Sequence, residues 1–122
     1  MDKLILIVED DPKTLSLFRD LLQKFGYATI EATNGREGVE LALASNPALI
    51  LMDIQLPVMD GLEATKILKS DARTKNIPIL ALTSYAMKGD RERILQAGCG
   101  GYLAKPVDIQ EFLATVTRYL ST

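Results

Sequence analysis

Short, branched apolar runs recur along this chain, separated by stretches whose apolar residues fall three and four apart, and that alternation restricts the fold more than anything else in the sequence. The first run, Leu4 to Val8, is continuously apolar, as befits a strand covered on both faces of a sheet. Four more follow at Ala28 to Ala32, Ala48 to Met52, Ile79 to Leu82 and Tyr102 to Ala104. After the first run, Leu15, Phe18, Leu21, Leu22 and Phe25 recur at helical intervals until Gly26 supplies a stop. Further helices are predicted from about Arg36 to Ser45, ended by Asn46-Pro47, and from about Gly61 to Lys69. The last two are predicted from about Lys88 to Ala97, before Gly98, and from about Ile109 to Leu120. The runs lie too far apart for hairpins. Strand then helix, repeated five times, calls for an α/β fold with a parallel sheet covered on both faces, and right-handed crossovers make it doubly wound. No linker or low-complexity tract interrupts the pattern, so one domain is expected over residues 1–122.

Charge and composition exclude several classes of function. A formal net charge of −2 offers no excess of Lys and Arg for neutralising phosphates, so direct nucleic-acid binding is not expected. The chain has no His, which rules out Ser-His-Asp triads, His-ligated zinc and a phosphohistidine. Cys99 is the single cysteine, so no intramolecular disulfide forms; within Gly98-Cys99-Gly100-Gly101 it reads as a small packing or loop residue. The amino-terminal apolar run ends after five residues in Glu9, Asp10 and Asp11, unlike a signal peptide. No segment approaches the roughly 18 to 20 apolar residues of a membrane span. A cytoplasmic protein with no membrane partner is therefore expected.

In doubly wound folds the functional crevice lies at the carboxyl ends of the strands, where strand order reverses. Strand one ends there in Glu9, Asp10 and Asp11, strand three at Asp53, strand four at Thr83 and Ser84, and strand five just before Lys105-Pro106. Asp11 reads as a helix N-cap and stays outside the candidate site. Asp53 follows Leu49, Ile50, Leu51 and Met52 with no turn residue until Pro57, so a capping role does not explain it. Carboxylates crowded at one edge repel unless a cation intervenes, and oxygen-rich clusters suit Mg²⁺. Lys105 offers a compact ammonium for a carboxylate or a phosphoryl oxygen, and the Thr83 hydroxyl can donate to one.

Five short motifs stand in order along the chain: Val8-Glu9-Asp10, Met52-Asp53-Ile54-Gln55-Leu56-Pro57, Met59-Asp60-Gly61, Leu82-Thr83-Ser84 and Lys105-Pro106. Together they resemble the response-regulator receiver domain of the CheY-like superfamily over essentially the whole chain. The stretch Tyr85-Ala86-Met87-Lys88-Gly89-Asp90 further resembles DivK-type single-domain regulators. The resemblance implies a (βα)5 flavodoxin-like fold with a five-stranded parallel sheet in the order 2-1-3-4-5. It also implies two-component signal transduction, in which Asp53 accepts a phosphoryl group from a sensor histidine kinase or histidine phosphotransfer protein in a Mg²⁺-dependent reaction. On the same basis Asp10 and Asp53 hold Mg²⁺ through their carboxylates, Gln55 through its backbone carbonyl, and Glu9 through a bound water. Thr83 and Lys105 contact the phosphoryl group, and Tyr102 is an aromatic switch residue. Helix four, strand five and helix five form the implied output surface. Self-catalysed phosphorylation and dephosphorylation are the only expected chemistry. With no effector domain after Leu120, output is expected to pass through association with another protein, through a phosphorelay, or through competition for a kinase.

Three rival readings share the architecture. A Mg²⁺-dependent phosphohydrolase with an aspartate nucleophile commonly carries a second acid two residues later, where this chain has Gln55, and no inserted cap domain supplies a substrate pocket. A nucleotide or flavin module finds no support, since neither GxxxxGK[ST] nor a GxGxxG after strand one is present. A receiver-like scaffold that no longer accepts phosphate is disfavoured by the intact acids, Thr83 and Lys105.

Overall fold

The computed structural model describes residues 3–84 and 88–121. Strands and helices alternate as β1 (Leu4–Val8), α1 (Pro12–Lys24), β2 (Ala28–Ala32), α2 (Gly35–Ser45) and β3 (Leu49–Asp53). They continue as α3 (Gly61–Ser70), β4 (Ile79–Thr83), α4 (Lys88–Ala97), β5 (Gly101–Ala104) and α5 (Ile109–Leu120). The predicted Tyr85, Ala86 and Met87 motif residues lie outside the described residues.

The sheet is parallel throughout, in the order β2-β1-β3-β4-β5. Because β1 and β3 are neighbours while β2 lies on the far side of β1, strand order reverses beside β1, and a crevice opens there at the carboxyl edge. The observed strands match the apolar runs closely. The difference that matters is at β3, which starts and ends one residue later than the run suggests, so that Asp53 is its last residue and pairs with Leu82. A charged side chain at a strand end escapes notice when strands are traced by apolarity alone.

Alternation of side chains divides the core in two. Ile5, Ile7, Leu49, Leu51, Leu80, Leu82 and Leu103 face Leu15, Phe18 and Leu22 of α1 and Phe112, Val116 and Leu120 of α5. Leu6, Val8, Ile50, Met52, Ile79 and Ala81 face the other way, toward Ala42 of α2, Ala64 and Leu68 of α3 and Ile94 of α4. Cys99 is buried on this second side with its Sγ 3.8 Å from Thr65 Oγ1, and burial pushes its thiol pKa up, so it behaves as a packing residue.

Local chemistry starts the helices. Asp11, Asn34, Asp60 and Asp108 are N-caps whose side chains accept backbone N–H groups of the first turn. Pro12 occupies the first turn of α1, where its missing N–H costs nothing. Asn46 ends α2 in a left-handed conformation at φ 49, and Gly26 follows α1 at φ 90.

Phe112 is fully buried and stacks on Phe18 with ring centroids 4.6 Å apart, joining α5 to α1 across β1 and β4. Phe112→Ala is expected to lower stability by about 3–5 kcal/mol, read from the urea midpoint at unchanged slope.

Candidate functional site

The alternation that divides the core also aims the site residues. Glu9 continues the series Ile5 and Ile7, Asp53 the series Leu49 and Leu51, and Lys105 follows Leu103 at the same spacing. All three therefore leave the sheet on the α1/α5 side at its carboxyl edge. The backbone ladder holds them in register past the strand ends: the Glu9 N–H donates to Ala32 O at 2.9 Å and the Lys105 N–H to Thr83 O at 2.7 Å. Ile54 N–H donates to Leu82 O at 3.0 Å in the same way.

Lys105 is the centre of the cluster. Its Nζ donates to Glu9 Oε1 at 2.7 Å and to Asp53 Oδ2 at 2.9 Å, joining the ends of β1, β3 and β5. The second oxygen of each acid is also engaged: Glu9 Oε2 accepts the Asp11 N–H at 3.2 Å and Asp53 Oδ1 the Gln55 N–H at 3.0 Å. Glu9 is completely buried and Asp53 is 5% exposed, whereas Asp10 stands exposed beside them. Carboxylate oxygens of Glu9, Asp10 and Asp53 lie within 4.8 Å of one another, close enough to share one metal ion. With all groups ionised, three carboxylates against one ammonium leave two negative charges at the site. Such a donor set fits a hard divalent cation with oxygen ligands.

Asp11 takes the capping role anticipated for it, accepting the Thr14 N–H at 3.1 Å. Asp60 does the same for Glu63 at 2.9 Å, so the Asp60-Gly61 motif is structural. Gly61 is required by proximity, since a Cβ there would lie 2.1 Å from the Asp53 carbonyl oxygen. Gly35 is the counterpart on α2, where a Cβ would meet Met59 O at 2.1 Å, and its N–H donates to that oxygen at 3.0 Å. Between these fixed points Val58 holds φ 69 inside a γ-turn closed by Met59 N–H to Pro57 O at 2.7 Å. A β-branched residue at positive φ is strained, and such strain gathers at functional loops. Sequence reading missed Gly35, because a close approach between two loops leaves no local signal, and Val58, because no pattern assigns positive φ to a β-branched residue.

An open cleft of about 620 Å³ adjoins the acids. Asp10, Gln55 and Thr83 line its polar end, and Ile54, Leu56, Leu62 and Ile94 line its apolar wall. Thr83 is buried and follows Ile79 and Ala81 onto the α2–α4 side of the sheet. Tyr102 pairs in register with Ala81 and so faces the same side, half-buried, two positions before the Thr83 partner Ala104. The Arg91 guanidinium lies over its ring, 5.9 Å from the centroid. The seven sequence-predicted residues thus divide into an ionic group of Glu9, Asp10, Asp53, Lys105 and the Gln55 backbone, and a pair, Thr83 and Tyr102, facing α4.

This geometry has close counterparts. The response regulator receiver domain profile matches residues 5–117. The chain belongs to the response-regulator receiver family. The receiver is 50% identical over 120 residues, 98% of either chain, to the polar-differentiation response regulator DivK of Brucella anthropi. The Brucella ovis DivK is 49% identical over the same share of both chains. Among solved structures, the receiver domain of a sensor histidine kinase from Pseudomonas aeruginosa superposes with a TM-score of 0.92 at 36% identity, covering all of both chains. That structure has a magnesium ion coordinated in its active-site cleft. Chemotaxis protein CheY4 of Vibrio cholerae gives a TM-score of 0.92 at 29% identity, over 98% of this chain and 100% of the other. The receiver is a component of two-component signalling, and among its described residues no helix is long and apolar enough to cross a membrane.

Burial raises the Glu9 pKa from its ordinary 4.5 to about 7, helped by the neighbouring Asp53 carboxyl and opposed by the Lys105 ammonium and the Asp11 N–H. Between these values the folded receiver keeps a proton that the unfolded chain has released, so the Glu9 contribution to stability is full below about pH 4.5 and is lost as pH rises through about 7. No histidine titrates in this window. In chelated buffer, urea unfolding of the wild type should lose on the order of 3 kcal/mol between these limits. Glu9→Gln should flatten the slope, and an equal slope in both proteins would assign the proton elsewhere.

Proposed function

We propose that this receiver accepts a phosphoryl group on Asp53 from a histidine kinase or histidine phosphotransfer protein, and that the modified state alters the α4, β5 and α5 surface to control binding of a protein target. The observation that carries this reading is the Lys105 ammonium held between Glu9 and Asp53 at a carboxylate-rich strand edge, 2.7 and 2.9 Å from the two acids. Asp53 is buried enough to be positioned, while the cleft gives a donor access from the Asp10 and Gln55 side.

In the transfer, an Asp53 carboxylate oxygen bonds to phosphorus as the bond from phosphorus to the donor histidine nitrogen breaks. Gln55 N–H and Lys105 orient the carboxylate, and Lys105 then balances charge on the phosphoryl oxygens. Asp10, Asp53 and the Gln55 backbone carbonyl would hold Mg²⁺, with Glu9 acting through a bound water; the ion supplies further neutralisation of the transferring oxygens. The Thr83 hydroxyl donates to a phosphoryl oxygen, and the shift toward it opens space for Tyr102 on the same side of the sheet. The chemistry is confined to gain and loss of this group, as fits a signalling domain working in the cytoplasm.

Incubation with acetyl phosphate and Mg²⁺ is expected to add one phosphoryl mass to the wild type and none to Asp53→Asn, with both proteins folded by circular dichroism. Omitting Mg²⁺ should reduce the adduct at least tenfold. Equal labelling of Asp53→Asn would remove Asp53 from the role.

A further inference from the structure

Two arginines stand two residues apart on α4 and have different surroundings. Arg93 pairs with Asp90 at 3.3 Å, and both line the cleft. Arg91 is exposed, and among the described residues no carboxylate pairs with it; its guanidinium carbon sits 5.9 Å from the centre of the Tyr102 ring. That ring is packed from below by the α2–α4 side of the core and covered from above by the cation. The quadrupole of an aromatic face attracts a cation at this range.

We propose that Arg91 is a latch that holds Tyr102 in the half-buried position it occupies against α4, so that phosphoryl-dependent rearrangement must release this cation from the ring. The inference rests on the proposed switch role of Tyr102 and adds a positioning residue to it. The register supports the geometry: Tyr102 and Thr83 emerge on the same side of the sheet, so a ring that moves toward Thr83 leaves the α4 rim where Arg91 lies. A cation–π contact at an exposed site biases such an equilibrium about two- to fivefold. That is enough to tune a switch without locking it.

Fluorotyrosine NMR of the full chain tests this, with the Tyr102 signal among the four tyrosines assigned by its loss in Tyr102→Phe. The probe for the phosphorylated state is beryllofluoride with Mg²⁺. In protein without beryllofluoride, Arg91→Met, which keeps an apolar stem and removes the cation, should move the Tyr102 signal toward its beryllofluoride-bound position. Arg91→Lys, which keeps the charge, should fall between Arg91→Met and the wild type. Beryllofluoride should bind Arg91→Met about threefold more tightly than wild type. A Tyr102 signal identical in wild type and Arg91→Met before beryllofluoride is added overturns the latch and leaves the phosphoacceptor reading intact. A wild-type signal unmoved by bound beryllofluoride overturns the switch role of Tyr102 and the latch with it. Failure of beryllofluoride to bind counts against the Asp53 reading and the latch that rests on it, while an unmoved Tyr102 signal in Arg91→Met overturns the latch alone.

Discussion

One ammonium shared by two buried carboxylates governs the design of this molecule. Lys105 lies 96 residues from Glu9 and 52 from Asp53 along the chain, and reaches both because the ends of β1, β3 and β5 come together at the same edge. A one-residue slip of any of these strands would turn its charged end to the opposite side of the sheet. Desolvating two acids is costly, and a single cation compensates only part of it. Burial alone would depress the Lys105 pKa, yet its bonds to Glu9 and Asp53 raise it overall, so this residue is the fixed charge of the site. The residual negative charge is what makes the neighbourhood receptive to a dication.

The same alternation that builds the core divides the candidate site residues between the two sides of the sheet. Glu9, Asp53 and Lys105 leave on the α1/α5 side, while Thr83 and Tyr102 leave on the side covered by α4. Thr83 connects the two, because it lines the cleft that the acids border and its carbonyl receives the Lys105 N–H. In the proposed function, an event at the acids would reach the aromatic ring through this one strand end.

Much of this was legible in the sequence because it depends on local pattern. Continuous apolar runs identify doubly covered strands, and Asp11 reads as the cap that starts the first helix, whereas the caps Asn34, Asp60 and Asp108 came only with the structure. The acids, Thr83 and Lys105 were readable because strand ends in this topology converge. What escaped were relations between distant segments. Nothing near Lys105 says that it binds two acids at once, nothing near Gly35 indicates Met59 against it, and Arg91 looks like any solvated helix residue until β5 is placed beside it. Val58 was hidden for a different reason, since no rule of composition assigns positive φ to a β-branched residue.

The close approach of Gly35 to Met59, with Gly61 pressed on the Asp53 carbonyl, makes the mechanical compliance of the site unequal on its two flanks. Toward α2 the loop carrying Gln55 to Met59 is stapled backbone to backbone, with no side chain thick enough to act as a cushion. Toward α4 the neighbours are side chains: Ile94 lining the cleft and Arg91 over the Tyr102 ring. If Asp53 is modified as proposed, displacement at the site would meet more resistance toward α2 than toward α4, and that inequality follows from which glycines have no room for a methyl group.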